Sequence, residues 1–219
     1  QILSKADVSM YASKRRKTGY TVYNSKLDSS GMNRLGLMGE LKRSLDRGEL
    51  SLHFQGKIGL PLENFCGAEA LIRWNHPIRG LIPPGEFIPL AEQGGLIKEL
   101  TYLVIRMAAA QMKQWKNEGL VIPLAINLSA RDLQEDQLPD KVSLTLEKEG
   151  IGPEMLEMEI TESAFIAAPG RALRVLKALA DRGIRLSIDD FGTGYSSITY
   201  LRDLPVQTVK IDRSFVMGM

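Results

Sequence analysis

The sequence holds one cysteine and two histidines among 219 residues. The single thiol, Cys66, excludes an intrachain disulfide and suits a reducing compartment. Because it lies in an apolar stretch, Cys66 is read as a small buried hydrophobe rather than a reactive group. His53 and His76 have no second ligand at zinc spacing, which disfavours a zinc site. His76, within Trp74-Asn-His-Pro77, fits a structural turn better than a ligand. Neither sign of charge dominates: the formal net charge is +2. The single-sign field of a nucleic-acid binder is therefore missing, and no DNA or RNA partner is expected. The one basic run, Lys14-Arg15-Arg16-Lys17, reads as a solvated helix end. Also lacking are a long apolar run, a charged-then-apolar leader, an internal repeat and any low-complexity segment. These residues thus hold no helical membrane span and no secretory signal. The expected location is cytoplasmic with no membrane contact from this segment, and an anchor elsewhere in a parent protein would be compatible with that.

What is present is an ordinary globular composition, 44% hydrophobic, in a chain long enough to bury a full core. Residues 5–17 read as a short helix stopped by Gly19, and Tyr20-Thr-Val-Tyr23 as a strand. The polar stretch 24–31 reads as a linker. Residues 1–28 are too few for a domain of their own, so they read as the remnant of an upstream unit or as a docking arm, ahead of a main domain over 29–219. A helical pattern starts near Met32, with Leu35, Leu37, Met38, Leu41 and Leu45 on its apolar stripe and Gly48 as its stop. Strand patterns follow at 51–58, 65–73, 121–127, 155–160, 184–189 and 206–211. Helical segments at 98–118, 136–149, 170–182 and 196–203 precede the third to sixth of them. That alternation predicts parallel α/β packing. The first two strands are separated by too few residues for a crossover and should form an antiparallel hairpin. A complete (β/α)₈ barrel takes about 250 residues, so two readings stay open: an open sheet, or a barrel that stops short.

The polar residues fall in a pattern within these strands. In Met155-Leu-Glu-Met-Glu-Ile160 the residues Leu156, Met158 and Ile160 share one face, and Glu157 and Glu159 share the other. Ser187 and Asp189 lie opposite Ile184, Leu186 and Ile188. Ala125 and Asn127 lie opposite Ile122, Leu124 and Ile126, and Thr208, Lys210 and Asp212 lie opposite Val209 and Ile211. One polar position on a strand is usually a solvated edge. Four at the same strand end are what a barrel mouth built for chemistry looks like. Glu69, whose same-face neighbours are Leu71 and Arg73, adds a fifth. Crowded carboxylates need a compensating cation, and Lys210 offsets one of them. The all-oxygen set Glu69, Asn127, Glu159, Asp189 and Asp190 suits Mg²⁺ or Mn²⁺. The adjacent Asp189-Asp190 pair suits two such ions and displacement at phosphorus. Phe191-Gly-Thr-Gly194 reads as a flexible active-site loop, since Ser197 stands where a dinucleotide fingerprint needs glycine.

Taken in order, Glu69-Ala-Leu71, Phe87-Ile-Pro-Leu-Ala-Glu92, Asn127-Leu-Ser129, Glu159-Ile-Thr-Glu-Ser163, Asp189-Asp-Phe-Gly-Thr-Gly-Tyr-Ser-Ser197 and Lys210-Ile-Asp-Arg-Ser-Phe215 resemble the EAL domain of cyclic di-GMP phosphodiesterases, over roughly residues 32–219. Residues 6–23 resemble the last helix and strand of a GGDEF domain, without its signature loop, so an upstream GGDEF or sensor domain is expected as a neighbour. The resemblance implies a modified TIM barrel with an antiparallel first strand. It also implies hydrolysis of cyclic di-GMP to linear pGpG, dependent on Mg²⁺ or Mn²⁺. By motif, Glu69, Asn127, Glu159 and Asp189 would ligate one metal, and Asp189 with Asp190 the second. Lys210 would contact the attacking water, and Glu162 would brace the loop that starts at Asp190. Gln55 and Arg73 would meet the substrate, with Asp212 supporting the site. Family members often pair through barrel helices, so a homodimer is an open expectation.

Two departures stand out. Gln55-Gly56 replaces the family's usual Gln-Pro. The family also continues with two further strands carrying a glutamate in an Ala-Glu-Gly-Val-Glu motif and a glutamine in a Gln-Gly motif, and neither occurs here. The expectation is a barrel truncated after its sixth strand, with 206–211 as an exposed edge. A non-catalytic module that binds cyclic di-GMP is the first alternative to an enzyme. The second is a lyase in which Lys210 forms a Schiff base, which a strict metal requirement would count against.

Overall fold

The computed structural model describes residues 6, 9, 10, 13, 19–22, 25–60, 64–166, 169–192 and 202–217. Residues 6, 9, 10 and 13 are helical, in keeping with the first expected helix. The strand expected at 20–23 is not seen in residues 20–22. Tyr20 and Val22 are both exposed, so their alternation has no buried face to drive pairing. Helix α1 (Ser25–Arg47) takes in most of the stretch expected as a linker. Helix growth is cooperative, and a polar stretch without proline is carried along once Leu37 and Leu41 are buried further down. The basic run 14–17 and most of the helix expected at 196–203 lie outside the described residues; Arg202 and Asp203 form a turn.

Strands β1 (Leu50–Gly59) and β2 (Asn64–His76) form the expected hairpin, with Gln55 opposite Glu69. A short strand β3 (Gly80–Ile82), not foreseen, pairs with the end of β2. Between them His76 acts as the turn residue it was read to be. Its Nδ1 accepts the N–H groups of Ile78 at 3.2 Å and Arg79 at 3.1 Å, and its Nε2 lies 3.3 Å from Glu40. Helices α2 (Pro84–Gly94) and α3 (Ile97–Asn117) follow. The chain then alternates through β4 (Leu124–Leu128), α4 (Leu138–Glu149), β5 (Leu156–Thr161), α5 (Glu162–Ile166), α6 (Pro169–Ala180), β6 (Arg185–Phe191) and β7 (Thr208–Ile211).

The sheet runs β1-β2-β4-β5-β6-β7, antiparallel at β1/β2 and parallel from β2 onward. It is an α/β fold whose sheet does not close among the described residues: β1 and β7 are its two edges. Val209 and Ile211 are exposed there, as expected of an edge strand with one side unpaired. No helix among the described residues is long and apolar enough to cross a membrane.

β4 begins at Leu124, three residues later than expected, because Pro123 has no N–H to donate to a ladder. The Pro123 carbonyl instead accepts the Ala68 N–H at 2.9 Å. A Cβ on Gly67 would stand 2.9 Å from that same oxygen, so only glycine lets β2 approach β4 so closely. Cys66 corrects another expectation, for it is exposed and its Sγ donates to the Lys57 carbonyl at 3.3 Å. β2 pairs with β4 only from Ala68 onward, so the hairpin tip projects beyond the sheet and its apolar residues stay wet.

The core lies between the sheet and the helices. Leu156, Met158 and Ile160 of β5, and Leu186 and Ile188 of β6, are buried, as are Leu100 and Ala108 of α3 and Val175 and Leu179 of α6. Each fully buried large aliphatic contributes about 1.5–3 kcal/mol over its exposed state. Trp74 and Phe87 meet edge to face at 5.8 Å and tie β2 to α2.

A buried carboxylate fixes the exit of β4. Asp132 is 2% exposed, and its Oδ2 accepts from the Ser129 N–H at 2.8 Å, Ser129 Oγ at 2.6 Å and Thr101 Oγ1 at 3.0 Å. Burial raises its pKa, against the opposing pull of those donors. Asp132→Ala strands three donors and should lower stability by about 2–3 kcal/mol in urea unfolding. Asp132→Asn keeps one oxygen for all three and should cost less than about 1 kcal/mol at acidic pH. A raised carboxyl pKa contributes stability at low pH that is lost as pH climbs through the folded value. The Asn variant should therefore gain on the wild type as pH rises past the usual aspartate range.

Candidate active site

Parallel pairing sets the inward side chains of neighbouring strands side by side. Asn127 is level with Glu159, Glu159 with Ser187, and Thr161 with Asp189, while Glu69 is level with Ala125. Glu69, Glu159 and Asp189 thereby bring one carboxylate oxygen each to within 4.8 Å of the others. Asn127 Nδ2 donates to Glu69 Oε1 at 2.8 Å, leaving its carbonyl as the ligand atom it can offer. All the candidate donors are oxygens, and this donor set fits a hard divalent cation.

Two ammonium groups enter the cluster. Lys210 Nζ lies 2.6 Å from Glu159 Oε2, 3.1 Å from Asp189 Oδ2 and 3.2 Å from Glu69 Oε2. Lys57 Nζ lies 2.8 Å from Glu159 Oε1 and 3.3 Å from Glu157 Oε2. Burial works against both charges. For Lys210 the hydrogen bond and charge of Glu159, then Asp189 and Glu69, outweigh it and raise the pKa. For Lys57 Glu159 and then Glu157 do the same. Glu159 is fully buried and has an ammonium group on each of its oxygens. The four carboxylates Glu69, Glu157, Glu159 and Asp189 face these two ammonium groups, which leaves two negative charges that one divalent cation would balance.

Asp190 stands next to this cluster near the end of β6, where pairing with β7 is irregular between Ile188 and Phe191. The Asp190 N–H donates to Asp189 Oδ1 at 2.9 Å, and Asp190 itself has φ +53°, the only positive φ of a non-glycine residue among the described ones. Aspartate tolerates that left-handed conformation better than most residues, and such strain gathers at functional sites. Burial, then the charges of Asp189 and Asp212, push the Asp190 carboxyl up, partly opposed by Lys210. Glu162, nearly buried at the start of α5, accepts the Gly192 N–H at 3.2 Å. Asp212 accepts from the Ser214 N–H and hydroxyl and caps the last short turn.

Gln55 and Arg73 are less closely tied to the cluster. Gln55 is exposed, opposite Glu69 across the hairpin. Arg73 lies on the same face of β2 as Glu69, nearer the strand's C-terminal end, and its Nη1 donates to the Ile72 carbonyl at 2.9 Å. A cleft of about 520 Å³ opens beside them, walled by Leu71, Ile88, Pro89 and Ala130 and reaching Asn127 and Thr161. The sequence reading passed over Lys57. It lies two residues beyond Gln55, on the same face of β1, and a second polar side chain on an inward face was the available signal.

The sequence profile of the EAL domain matches residues 38–219. The chain belongs to the EAL domain family. It is 39% identical over 218 residues to the bifunctional diguanylate cyclase/cyclic di-GMP phosphodiesterase MucR of Pseudomonas aeruginosa, covering 99% of this chain and 32% of that protein. It is 37% identical over 217 residues to the oxygen sensor protein DosP of Escherichia coli, covering 98% of this chain and 27% of that protein. The chain thus spans about a third or less of these curated relatives. Among solved structures, the PaMucR phosphodiesterase in complex with c-di-GMP aligns with a TM-score of 0.79 at 41% identity, over 84% of this chain and 74% of that one. The FimX EAL domain of Pseudomonas aeruginosa bound to c-di-GMP aligns at 0.73 and 27% identity, over 82% and 73%. The open α/β sheet described above is therefore the wall of the modified TIM barrel of EAL domains.

Within this EAL domain the Asp190 turn leans on one tight contact. A Cβ on Gly192, which has φ +96°, would lie 2.7 Å from Cε2 of Phe215. Gly192→Ala should destabilise the domain by about 1–2 kcal/mol, from left-handed strain and displacement of the ring. Hydrogen exchange at residues 189–192 should rise with it. Gly192→Ala combined with Phe215→Ala removes the clash and should recover part of the loss, leaving the backbone strain.

Proposed function

We propose that this EAL domain hydrolyses one phosphodiester bond of cyclic di-GMP to give linear pGpG, in a reaction that depends on Mg²⁺ or Mn²⁺. The observation that carries the reading is the triad Glu69, Glu159 and Asp189, drawn from three strands to within 4.8 Å with more negative charge than Lys57 and Lys210 offset. Glu69, Asn127, Glu159 and Asp189 would hold one cation, and Asp189 with Asp190 a second. Bound there, such ions would polarise the phosphate and lower the pKa of a water, the chemistry that two-metal sites supply. Support for the substrate comes from the relatives: MucR carries cyclic di-GMP phosphodiesterase in its name, and two aligned structures hold c-di-GMP.

The chain's own residues then divide the work. Lys210 donates hydrogen bonds to the carboxylate oxygens around it, and in the working site would orient the attacking water by the same means. Glu162 fixes the backbone at Gly192 and so holds the Asp190 carboxylate in place. Arg73, at the rim on the Glu69 face, offers a planar pair of donors that matches two phosphate oxygens better than a lysine would. Gln55 faces the sugar side. The apolar cleft walled by Leu71 and Ile88 gives a planar base somewhere to leave water.

Glu69→Ala and Asp189→Ala should each abolish Mn²⁺ binding in calorimetry and hydrolysis together, because each removes a direct ligand. Metal-dependent turnover unchanged in either variant would remove that residue from the ligand set. Cyclic di-GMP binding without turnover by the unmodified protein would make the domain a receptor instead. Arg73→Ala should weaken cyclic di-GMP binding at least about tenfold, the loss of a charge-assisted hydrogen bond, and leave Mn²⁺ affinity within about twofold. Equal loss of both would make Arg73 structural.

A further inference from the structure

β1 runs against its neighbours, so its C-terminal end lies at the floor of the sheet, opposite the mouth where Asp190 turns. Lys57 is paired with Gly67 near that end. Its side chain crosses the inner face to β5, where it meets Glu157 and Glu159 together. The two oxygens of Glu159 are divided between the two lysines. Oε2 lies on Lys210, which also touches Glu69 Oε2 and Asp189 Oδ2, so Oε2 faces the metal-binding cluster. Oε1 points to the floor and lies 2.8 Å from Lys57 Nζ.

We propose that Lys57 is a positioning residue of the metal site, one that occupies Oε1 of Glu159 and restricts this carboxylate to one-oxygen ligation through Oε2. The inference rests on the metal reading above. Two effects of the Lys57 charge oppose each other. A nearby ammonium repels a bound cation, but Glu157 at 3.3 Å already offsets much of this charge. The hydrogen bond that orients a buried ligand has no such offset, and partners of this kind are worth about 10–100-fold in metal affinity. Positioning therefore outweighs repulsion. One-oxygen ligation also discriminates between ions. Mg²⁺ and Mn²⁺ take octahedral sites with single oxygens, whereas Ca²⁺ accepts both oxygens of a carboxylate and a looser shell. Lys57 thus biases the site against Ca²⁺ from a position that touches no metal.

The test measures Mn²⁺ and Ca²⁺ affinities by calorimetry on the folded protein. Lys57→Met should weaken Mn²⁺ about tenfold and Ca²⁺ less, shifting the ratio of the two toward Ca²⁺. Lys57→Arg, which restores a donor to Oε1, should return most of the wild-type ratio. Because Lys57→Met leaves the buried Glu159 and the half-buried Glu157 with less compensation, Lys57→Met combined with Glu157→Leu is the safeguard. It swaps a half-buried ion pair for apolar groups, a change that is often neutral for folding, and it should show the same shift in ratio. A wild-type Mn²⁺-to-Ca²⁺ ratio in that double variant would overturn the role of Lys57 while leaving the metal reading intact. A wild-type protein that binds neither ion would overturn the metal reading and this inference with it.

Discussion

The crowding of like charge around Glu159 is the constraint on which the rest of this site depends. A carboxylate without solvent exposure is costly to bury unless it is paired, and the two cations that reach its oxygens come from opposite edges of the sheet. Lys57 arrives from β1 and Lys210 from β7. Every other feature follows from keeping that arrangement in register. Parallel pairing sets Asn127 beside Glu159, and a hairpin with Gln55 opposite Glu69 carries Lys57 under the same strand. A buried ion pair of this kind is a poor source of stability, since desolvation cancels much of the attraction. The helices that cover the other face supply the stability instead, through Leu156, Met158 and their neighbours. The sheet separates the two tasks, with folding energy on one side and chemistry on the other.

Much of this was legible in the sequence because strand alternation is a strict period. Glu159 and Asp189 could be assigned to the inner face from their aliphatic neighbours alone, and the hairpin from the shortness of its loop. What escaped was whatever depends on partners distant in sequence. Lys57 drew no notice because its meaning comes from Glu159, 102 residues away. Cys66 looked buried because its apolar neighbours gave no sign that β2 outruns β4. Helix α2 carried plain punctuation, Pro84 at its first turn and the left-handed Gly95 after its last, yet its motif was read for family likeness and not for structure. The stretch 24–31 was misread for the opposite reason, since its polarity is local while the helix that absorbs it is anchored at Leu37 and Leu41.

Strain and packing meet at the end of β6. Asp190 adopts a left-handed conformation, Gly192 another, and Glu162 and Phe215 hold them from two sides. Adjacent aspartates in a regular strand would point to opposite faces. The left-handed Asp190 falls at the break in pairing between Ile188 and Phe191, so this part of β6 departs from that alternation. Asp190 then senses the charge of Asp189 and Asp212 at once.

The contact between Lys210 and Glu69 joins residues 141 positions apart, and that distance has a kinetic meaning. Contacts of long sequence separation are formed late, because the loop they close costs entropy before any attraction is gained. On a growing chain the carboxylates of β2, β5 and β6 are all made before the lysine that gathers them. Until β7 docks, those acids repel one another with no ammonium from that edge between them. The charge cluster is therefore completed late in assembly, once β7 has brought its ammonium group to the three acids.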